Sequence, residues 1–137
     1  MKLKQELKEW LLKSDIENPY SITLKLMTEN PITASKHLKY FRRKYERAIG
    51  ARYRRYHFIP VFEPDNGNPH YHIIADRPSY LDHKEYLDQI HRTIKQVKQI
   101  KRDYNDIKPI HSINGAFNYS IKKIEAEAEL DWGNYKG

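Results

Sequence analysis

The chain has 137 residues, with 39% hydrophobic residues, 31% charged residues, no cysteine and a formal net charge of +7. This length suits one domain with one core. The lack of cysteine excludes disulfides, thiolate zinc sites and cysteine nucleophiles, and it fits a reducing cytoplasm. Apolar runs are only a few residues long and the N-terminus is charged, so we expect neither a membrane span nor a signal peptide.

The positive charge is unevenly distributed along the chain. Residues 125–137 contain four acidic residues and one basic residue, so residues 1–124 hold all of the positive excess. A basic body favours a polyanion partner, of which nucleic acid is the commonest. Charge alone favours a nucleic-acid partner and a basic surface without a specific ligand equally. The acidic residues 125–137 are predicted to form a frayed, flexible tail.

The first half of the chain predicts two helices and a strand. Apolar residues recur at helical spacing over residues 2–13, which predicts an amphipathic helix. Residues 20–27 alternate polar and apolar side chains, as in a half-buried strand. Thr33 or Ser35 can cap a second helix that runs to about Ile49, where a glycine follows.

The second half predicts three more strands and two helices. Residues 52–63 and 70–76 are predicted strands, Ser79 caps a third helix, residues 106–111 form a strand, and residues 116–126 form a short helix. The apolar stripe of the third helix is Tyr86, Leu87, Ile90, Ile94, Val97 and Ile100. After the N-terminal helix the order is β-α-β-β-α-β, which predicts an α+β, ferredoxin-like (split βαβ) fold with an antiparallel sheet.

A hairpin signal brings three polar residues together. Asn66 and Gly67 lie between two predicted strands, and an Asn-Gly pair is typical of a two-residue type I′ turn. That turn sets Glu63 opposite His70, with side chains on the same face of the sheet. Because side chains alternate along a strand, His72 shares this face.

Two imidazoles and a carboxylate form a competent divalent-metal site. A single His-x-His sequence would more often be two surface histidines. The carboxylate placed opposite by the turn makes a metal site formed by Glu63, His70 and His72 the better interpretation. His57 reaches the same face if the strand has no bulge, and Pro60 favours a bulge. We therefore interpret His57 as a surface or DNA-facing residue.

A tyrosine in the last predicted helix has the chemistry of a nucleophile. Tyr119 lies in the first turns of this helix, with Lys122 and Lys123 one turn further on. A neighbouring ammonium group favours the phenolate, whose pKa is otherwise near 10, and it can hold a phosphate. The chain has 11 tyrosines, however, and a tyrosine near a lysine is by itself more typical of a packing residue.

Together these motifs resemble the HUH endonuclease superfamily. The sequence His70-Tyr71-His72, a glutamate seven residues before it and Tyr119-Ser120-Ile121-Lys122 occur in the order found in single-tyrosine rolling-circle replication initiators. The resemblance covers about residues 20–124 of an expected endonuclease domain, residues 1–124. It implies a ferredoxin-like sheet with an N-terminal helix and a C-terminal helix that carries the tyrosine.

The resemblance also implies a reaction. The two histidines and Glu63 would bind Mg²⁺ or Mn²⁺, and Tyr119 would attack a phosphate of single-stranded or hairpin origin DNA. Lys122 would assist, with Lys123 as the alternative. The product would be a 5′-phosphotyrosyl link and a free 3′-OH that primes replication of a virus or plasmid in the host cytoplasm. No phosphate-binding glycine-rich loop occurs, so we expect either a recruited host helicase or an excised domain.

Three other classes remain open. A single-tyrosine transposase of the same superfamily would resemble the histidine pair, but it typically has a glutamine where Lys122 or Lys123 stands and lacks the preceding glutamate. A relaxase would have three histidines and a tyrosine near the N-terminus. A non-catalytic nucleic-acid-binding module would carry glycine-aromatic ribonucleoprotein motifs, which this sequence lacks.

Five arginines are expected to contact DNA phosphates: Arg42 and Arg43 in the second helix, and Arg52, Arg54 and Arg55 at the start of the second predicted strand. Tyrosines are interleaved with them, and exposed rings can stack on unpaired bases. Three aromatic residues of the second helix are instead predicted to belong to the core: Tyr40, Phe41 and Tyr45.

Overall fold

The structure is an α+β fold in which four antiparallel strand pairings form one sheet and two helices pack against it. The computed structural model describes residues 9, 15–50, 56–64, 67–102, 105–111 and 129–136. The elements in chain order are β1 (Pro19–Lys25), α1 (Pro31–Ala48), β2 (Phe58–Glu63), β3 (His70–Asp76), α2 (His83–Gln96), β4 (Asp106–Pro109) and β5 (Glu129–Leu130). The sheet order is β4-β1-β3-β2-β5. The predicted α+β class with an antiparallel sheet is confirmed, and the order is compatible with a ferredoxin-like arrangement.

One face of the sheet packs against both helices. In β1 the side chains of Tyr20, Ile22 and Leu24 are buried while the intervening residues are only partly buried. The main core cluster joins these side chains to Tyr71 and Ile73 of β3 and to the apolar faces of α1 and α2. Each such fully buried side chain contributes about 1.5–3 kcal/mol by leaving water. We call this the core face of the sheet.

Helix α1 begins three to five residues earlier than predicted. Its N-cap is Asn30, whose side-chain oxygen accepts hydrogen bonds from the backbone N–H groups of Ile32 (3.0 Å) and Thr33 (3.1 Å). Pro31 occupies the first helical turn, where a missing N–H costs nothing. The predicted caps Thr33 and Ser35 are therefore wrong, because the asparagine satisfies the free donors upstream of them.

Helix α2 begins with a capping box. The Asp82 side chain accepts from the Glu85 backbone N–H, and the Glu85 side chain accepts from that of Asp82. The predicted cap Ser79 is wrong because this reciprocal pair satisfies two donors at once. The predicted apolar stripe is largely confirmed. Its members are buried except for Leu87, which is partly buried, although Val97 and Ile100 follow the end of the helix.

The C-terminal residues 129–136 are attached to the β2 edge of the sheet at both of their ends. Strand β5 pairs with β2, and beyond it the Lys136 and Phe58 backbones exchange hydrogen bonds of 2.9 and 2.8 Å. The Asn134 side chain is buried and binds the backbone oxygen of Ser35 at 3.0 Å. The prediction of a frayed tail is wrong for these residues, because a strand edge and a buried amide hold them. No helix in the described ranges is long and apolar enough to cross a membrane.

Candidate metal centre

Strand alternation puts polar residues of β3 on the face that the core does not use. Tyr71, Ile73 and Ala75 belong to the core cluster, and the residues between them do not. His70 and His72 therefore project from the opposite side of the sheet, together with Ile74. We call this side the open face only because α1 and α2 pack against the other one; His70, His72 and Ile74 are themselves buried.

The register of β2 and β3 brings a carboxylate to the two imidazoles. Glu63 pairs with His70 and Val61 pairs with His72 in the antiparallel ladder. This is the register predicted from the turn, and that prediction is confirmed. Asp65 and Asn66 lie outside the described residues. Gly67 has φ +89°, a left-handed conformation that suits glycine at the end of this connection.

Three potential ligand atoms converge on one point. His70 Nε2 lies 2.9 Å from His72 Nε2, and Glu63 Oε2 lies 3.1 Å from His72 Nε2 and 3.6 Å from His70 Nε2. Ligands held about 2.1 Å from one divalent ion lie about 3 Å apart when they are neighbours in its coordination shell. The three atoms therefore have the spacing of one face of a coordination shell.

Contacts behind the imidazoles orient them for metal binding. His70 Nδ1 lies 2.8 Å from the backbone oxygen of Asn68, and since a carbonyl can only accept, Nδ1–H is the donor. The lone pair of a neutral His70 is then on Nε2, which points at the other two ligand atoms. His72 Nδ1 lies 3.5 Å from the Thr23 hydroxyl on β1. Such outer contacts fix the tautomer and ring orientation of metal-binding histidines.

Burial makes the cluster dependent on positive charge. Glu63 is 2% exposed, His72 6% and His70 8%. A carboxylate so far from water is costly unless a partner neutralises it. The lone pair of His70 and the carboxylate also repel each other unless a shared proton or a cation lies among them. The donor set and spacing fit a divalent cation, and the structure identifies these three residues as a possible metal-binding group.

Three neighbours of this cluster were not predicted from the sequence. Thr23 and Asn68 make the outer contacts, and Lys25 pairs with His70 across β1. Two of the three depend on β1 lying beside β3, which no local pattern indicates. Asn68 could have been found, because it precedes His70 by two residues and belongs to the same hairpin.

Tyr71 lies between the two histidines in sequence, but its side chain faces the other side of the sheet. Its hydroxyl donates to Asp131 Oδ2 at 2.8 Å on the core side of the sheet. Burial and the neighbouring Asp131 carboxylate raise the pKa of Tyr71 far above its usual value. This phenol is therefore protonated at neutral pH and faces away from Glu63, so it is unsuited to attack a phosphate at the metal centre.

His57 is placed away from the metal cluster. His57 directly precedes the first residue of β2, whereas Glu63 is the last residue of that strand. The His57 Nε2 atom lies 2.7 Å from Asp15 Oδ1. Within the described part of the chain, the group of possible metal ligands contains only Glu63, His70 and His72. The prediction that His57 is not a metal ligand agrees with this position, but its side chain is only 13% exposed and contacts Asp15, unlike the surface or DNA-facing residue that was predicted.

The two predicted DNA-contacting arginines of α1 differ in exposure. Arg42 is 8% exposed, and its guanidinium binds Asn134 Oδ1 at 3.0 Å and the Glu46 carboxylate. The expectation that Arg42 faces DNA is therefore corrected, because its guanidinium is buried and two of its nitrogens bind Asn134 and Glu46. Arg43 is exposed, as expected of a phosphate contact.

Several predicted site residues lie outside the described residues. They are the proposed nucleophile and its lysines, Tyr119, Lys122 and Lys123, and the arginines Arg52, Arg54 and Arg55. Of the aromatic residues predicted to be core, Phe41 and Tyr45 are buried. Tyr40 is 46% exposed, so that part of the prediction is wrong.

Comparisons with protein families, with curated proteins and with solved structures find no match for the chain. The functional argument therefore depends on the geometry of the cluster and on the motifs of the sequence.

Proposed function

We propose that the protein is a metal-dependent endonuclease that nicks single-stranded DNA and becomes covalently joined to the cut end through Tyr119. The observation that carries the proposal is the convergence of Glu63 Oε2 with the Nε2 atoms of His70 and His72, all within 3.6 Å of one another. This is the ligand set that the resemblance to HUH endonucleases implies, and the ladder register assembles it independently of that resemblance.

The strand order supports a ferredoxin-like fold as part of the same proposal. Two β-α-β units with the central strands β1 and β3 side by side give the order β4-β1-β3-β2. Strand β5 adds to the β2 edge of this arrangement. The central position of β3 matters for function, because its neighbours on both sides contribute to the cluster: β2 supplies Glu63, and β1 supplies the Thr23 contact.

The chain's own residues would act in defined ways. The two imidazoles and Glu63 would hold Mg²⁺ or Mn²⁺, and the bound ion would supply Lewis-acid polarisation of the scissile phosphate. Asn68 would keep His70 Nε2 aimed at the ligand position. The Tyr119 phenolate would form a bond to phosphorus as the bond to the 3′ oxygen breaks, and that oxygen would leave as a 3′-OH after protonation.

The lysines one turn from Tyr119 would lower the cost of forming the phenolate. Lys122 would lie beside the phenol or the phosphate, with Lys123 as the alternative. The phosphotyrosyl product conserves the energy of the phosphodiester, so a 3′-OH can reverse the step and rejoin the strand. This chemistry suits initiation of rolling-circle replication on a viral or plasmid origin, with a host helicase to unwind the duplex.

The three donor atoms are expected to bind Mn²⁺ more tightly than Mg²⁺. Imidazole suits transition metals, while Mg²⁺ prefers carboxylate and water oxygens. Two nitrogen ligands out of three therefore predict tighter binding of Mn²⁺ to the isolated protein. The glutamate in the cluster also favours an initiator over a single-tyrosine transposase, which typically lacks it.

The deciding experiment traps the covalent adduct. The protein is incubated with single-stranded oligonucleotides and Mn²⁺, separated on a denaturing gel, and the adduct is mapped by peptide mass spectrometry. We expect DNA on Tyr119 and no adduct with Tyr119→Phe, while metal binding to this variant is unchanged. DNA on another tyrosine contradicts the choice of nucleophile. Absence of any adduct across varied sequences and hairpins contradicts the endonuclease proposal.

A further inference from the structure

A second concentration of functional side chains lies on the helix-covered side of the molecule. A cavity of about 470 Å³ opens between α1 and the residues at the end of α2. Six of its lining residues are relevant here: Tyr40, Arg43, Lys44, Arg47, Lys95 and Lys98. The remaining lining residues carry no negative charge. We call this feature the basic cavity.

The five cations of the basic cavity lack carboxylate partners among the described residues. The ion pairs found there involve other side chains. Glu46, the acid closest to them in sequence, is held by Arg42 and by the Tyr56 hydroxyl. Like charges gathered around one cavity repel each other, and an anion placed among them relieves that repulsion. The cavity is therefore suited to a ligand with several negative charges.

Tyr40 gives the basic cavity an aromatic surface. The side chain is 46% exposed, although its ring stacks on that of His37 with centroids 6.3 Å apart and an interplanar angle of 27°. Burial lowers the pKa of His37, which favours the neutral form of the ring that stacks on Tyr40. Exposed rings beside cations are typical of sites that bind unpaired nucleotides.

Backbone contacts connect one side of the basic cavity to the strand that pairs with the metal-centre strand. The residues after α2 run beside the end of β1, where Ile100 bridges to Leu26 and the Lys101 N–H donates to the Lys25 oxygen at 3.0 Å. Lys25 is the residue that pairs with His70. Residues 95–99, which line one side of the basic cavity, are thus connected through residues 100 and 101 to the end of β1 that pairs with His70, on the face of the sheet opposite the metal centre.

We infer that the basic cavity binds a nucleotide of single-stranded nucleic acid, with phosphates on its cations and a base stacked on Tyr40. Its volume lies within the range of about 300–1,000 Å³ usual for ligand pockets. The inference does not depend on cleavage, because binding at this cavity needs neither the metal nor Tyr119.

The charge test uses two double variants with equal charge loss. Arg47→Gln with Lys98→Gln removes two cations of the basic cavity. Lys84→Gln with Lys136→Gln removes two exposed lysines that do not line it. Affinity for a labelled oligothymidylate is measured by fluorescence anisotropy across a salt series, with EDTA present to prevent cleavage. We expect the cavity variant to lose about 1.4 from the slope of log affinity against log salt, as for two single-strand phosphate contacts, and the control to keep the wild-type slope.

The stacking test uses Tyr40→Ala under the same conditions. Loss of one base-stacking contact predicts a loss of about fivefold or more in affinity for the single strand. Affinity for a duplex of the same length is expected to be unchanged by Tyr40→Ala, because paired bases cannot stack on the ring.

Four results would overturn the inference. Equal slope changes in the two double variants mean that only the net charge of the protein affects binding. No change in either variant means that the cavity does not contact the strand. A preference for duplex that is insensitive to Tyr40→Ala assigns the surface to double-stranded DNA. Displacement of the oligonucleotide by micromolar nucleoside triphosphate, with loss of the cavity-dependent slope, assigns the cavity to a free nucleotide instead of a strand.

Discussion

The two faces of the central sheet are built from the same strands but are used differently. On the core face, Tyr71 and Ile73 of β3 pack against both helices. On the open face, one residue away in sequence, His70 and His72 meet Glu63. The core face is thus covered by the two helices, whereas the open face brings three polar ligands together among buried apolar side chains such as Ile59 and Ile74. Because alternate residues serve alternate faces, stability and chemistry can be changed separately along a single strand.

The largest effect is expected from the open face. His72→Ala removes the ligand atom that lies nearest to both of the others, so we expect cleavage to fall to background and Mn²⁺ affinity to fall at least about tenfold. Thermal unfolding is measured alongside, to separate loss of the ligand from loss of the fold, because His72 is buried although it lies outside the core cluster. Cleavage is measured under limiting Mn²⁺, and metal affinity by calorimetry. Full activity under these conditions contradicts the metal assignment.

The neighbouring residue on the core face should give the opposite result. Ile73 is fully buried in the core cluster, so Ile73→Ala is expected to lower the free energy of unfolding by about 2–5 kcal/mol. Below the unfolding temperature, the folded variant should still bind Mn²⁺ with unchanged stoichiometry. Urea denaturation and metal titration check the two parts. A variant that keeps its stability but loses metal binding would show that the faces are not independent.

Local patterns predicted the part of the site that a single hairpin encodes. Glu63 and His70 could be paired from turn chemistry and strand alternation, because both act over a few residues. The burial of Arg42 could not be predicted, since its partner Asn134 is 92 residues away. The helix caps were missed for a different reason: several capping residues occur in each short segment, and only the three-dimensional path of the chain selects Asn30 and Asp82.

A smaller effect is expected where the C-terminal residues meet the core side of the molecule. The Asn134 amide accepts from Arg42 and donates to the Ser35 oxygen and to Asp131 Oδ2. Asn134→Ala leaves the buried guanidinium with one partner fewer, so we expect a loss of about 1–3 kcal/mol in unfolding free energy. Lys136→Ala is the control, because that side chain is exposed and should change stability by less than about 0.5 kcal/mol. Equal effects of the two variants would mean that Asn134 does not anchor this segment.

The smallest expected effect concerns the start of α2, which supports the core face alone. The hydrogen bond from the Glu85 backbone N–H is the largest of the causes that lower the pKa of Asp82. A carboxyl whose folded pKa is lowered contributes stability above its unfolded pKa, and this contribution is lost as the pH falls toward the folded value.

Asp82→Asn keeps a side-chain acceptor at the cap but removes the titration, since asparagine is also a good N-cap. We therefore expect wild type to be slightly more stable than this variant at pH 7 and the difference to shrink below about pH 4. Thermal unfolding followed by circular dichroism between pH 7 and pH 3 measures this difference. A gap between the two proteins that stays constant over this range would mean that the Asp82 charge is not linked to folding, and that the cap acts only through its hydrogen bond.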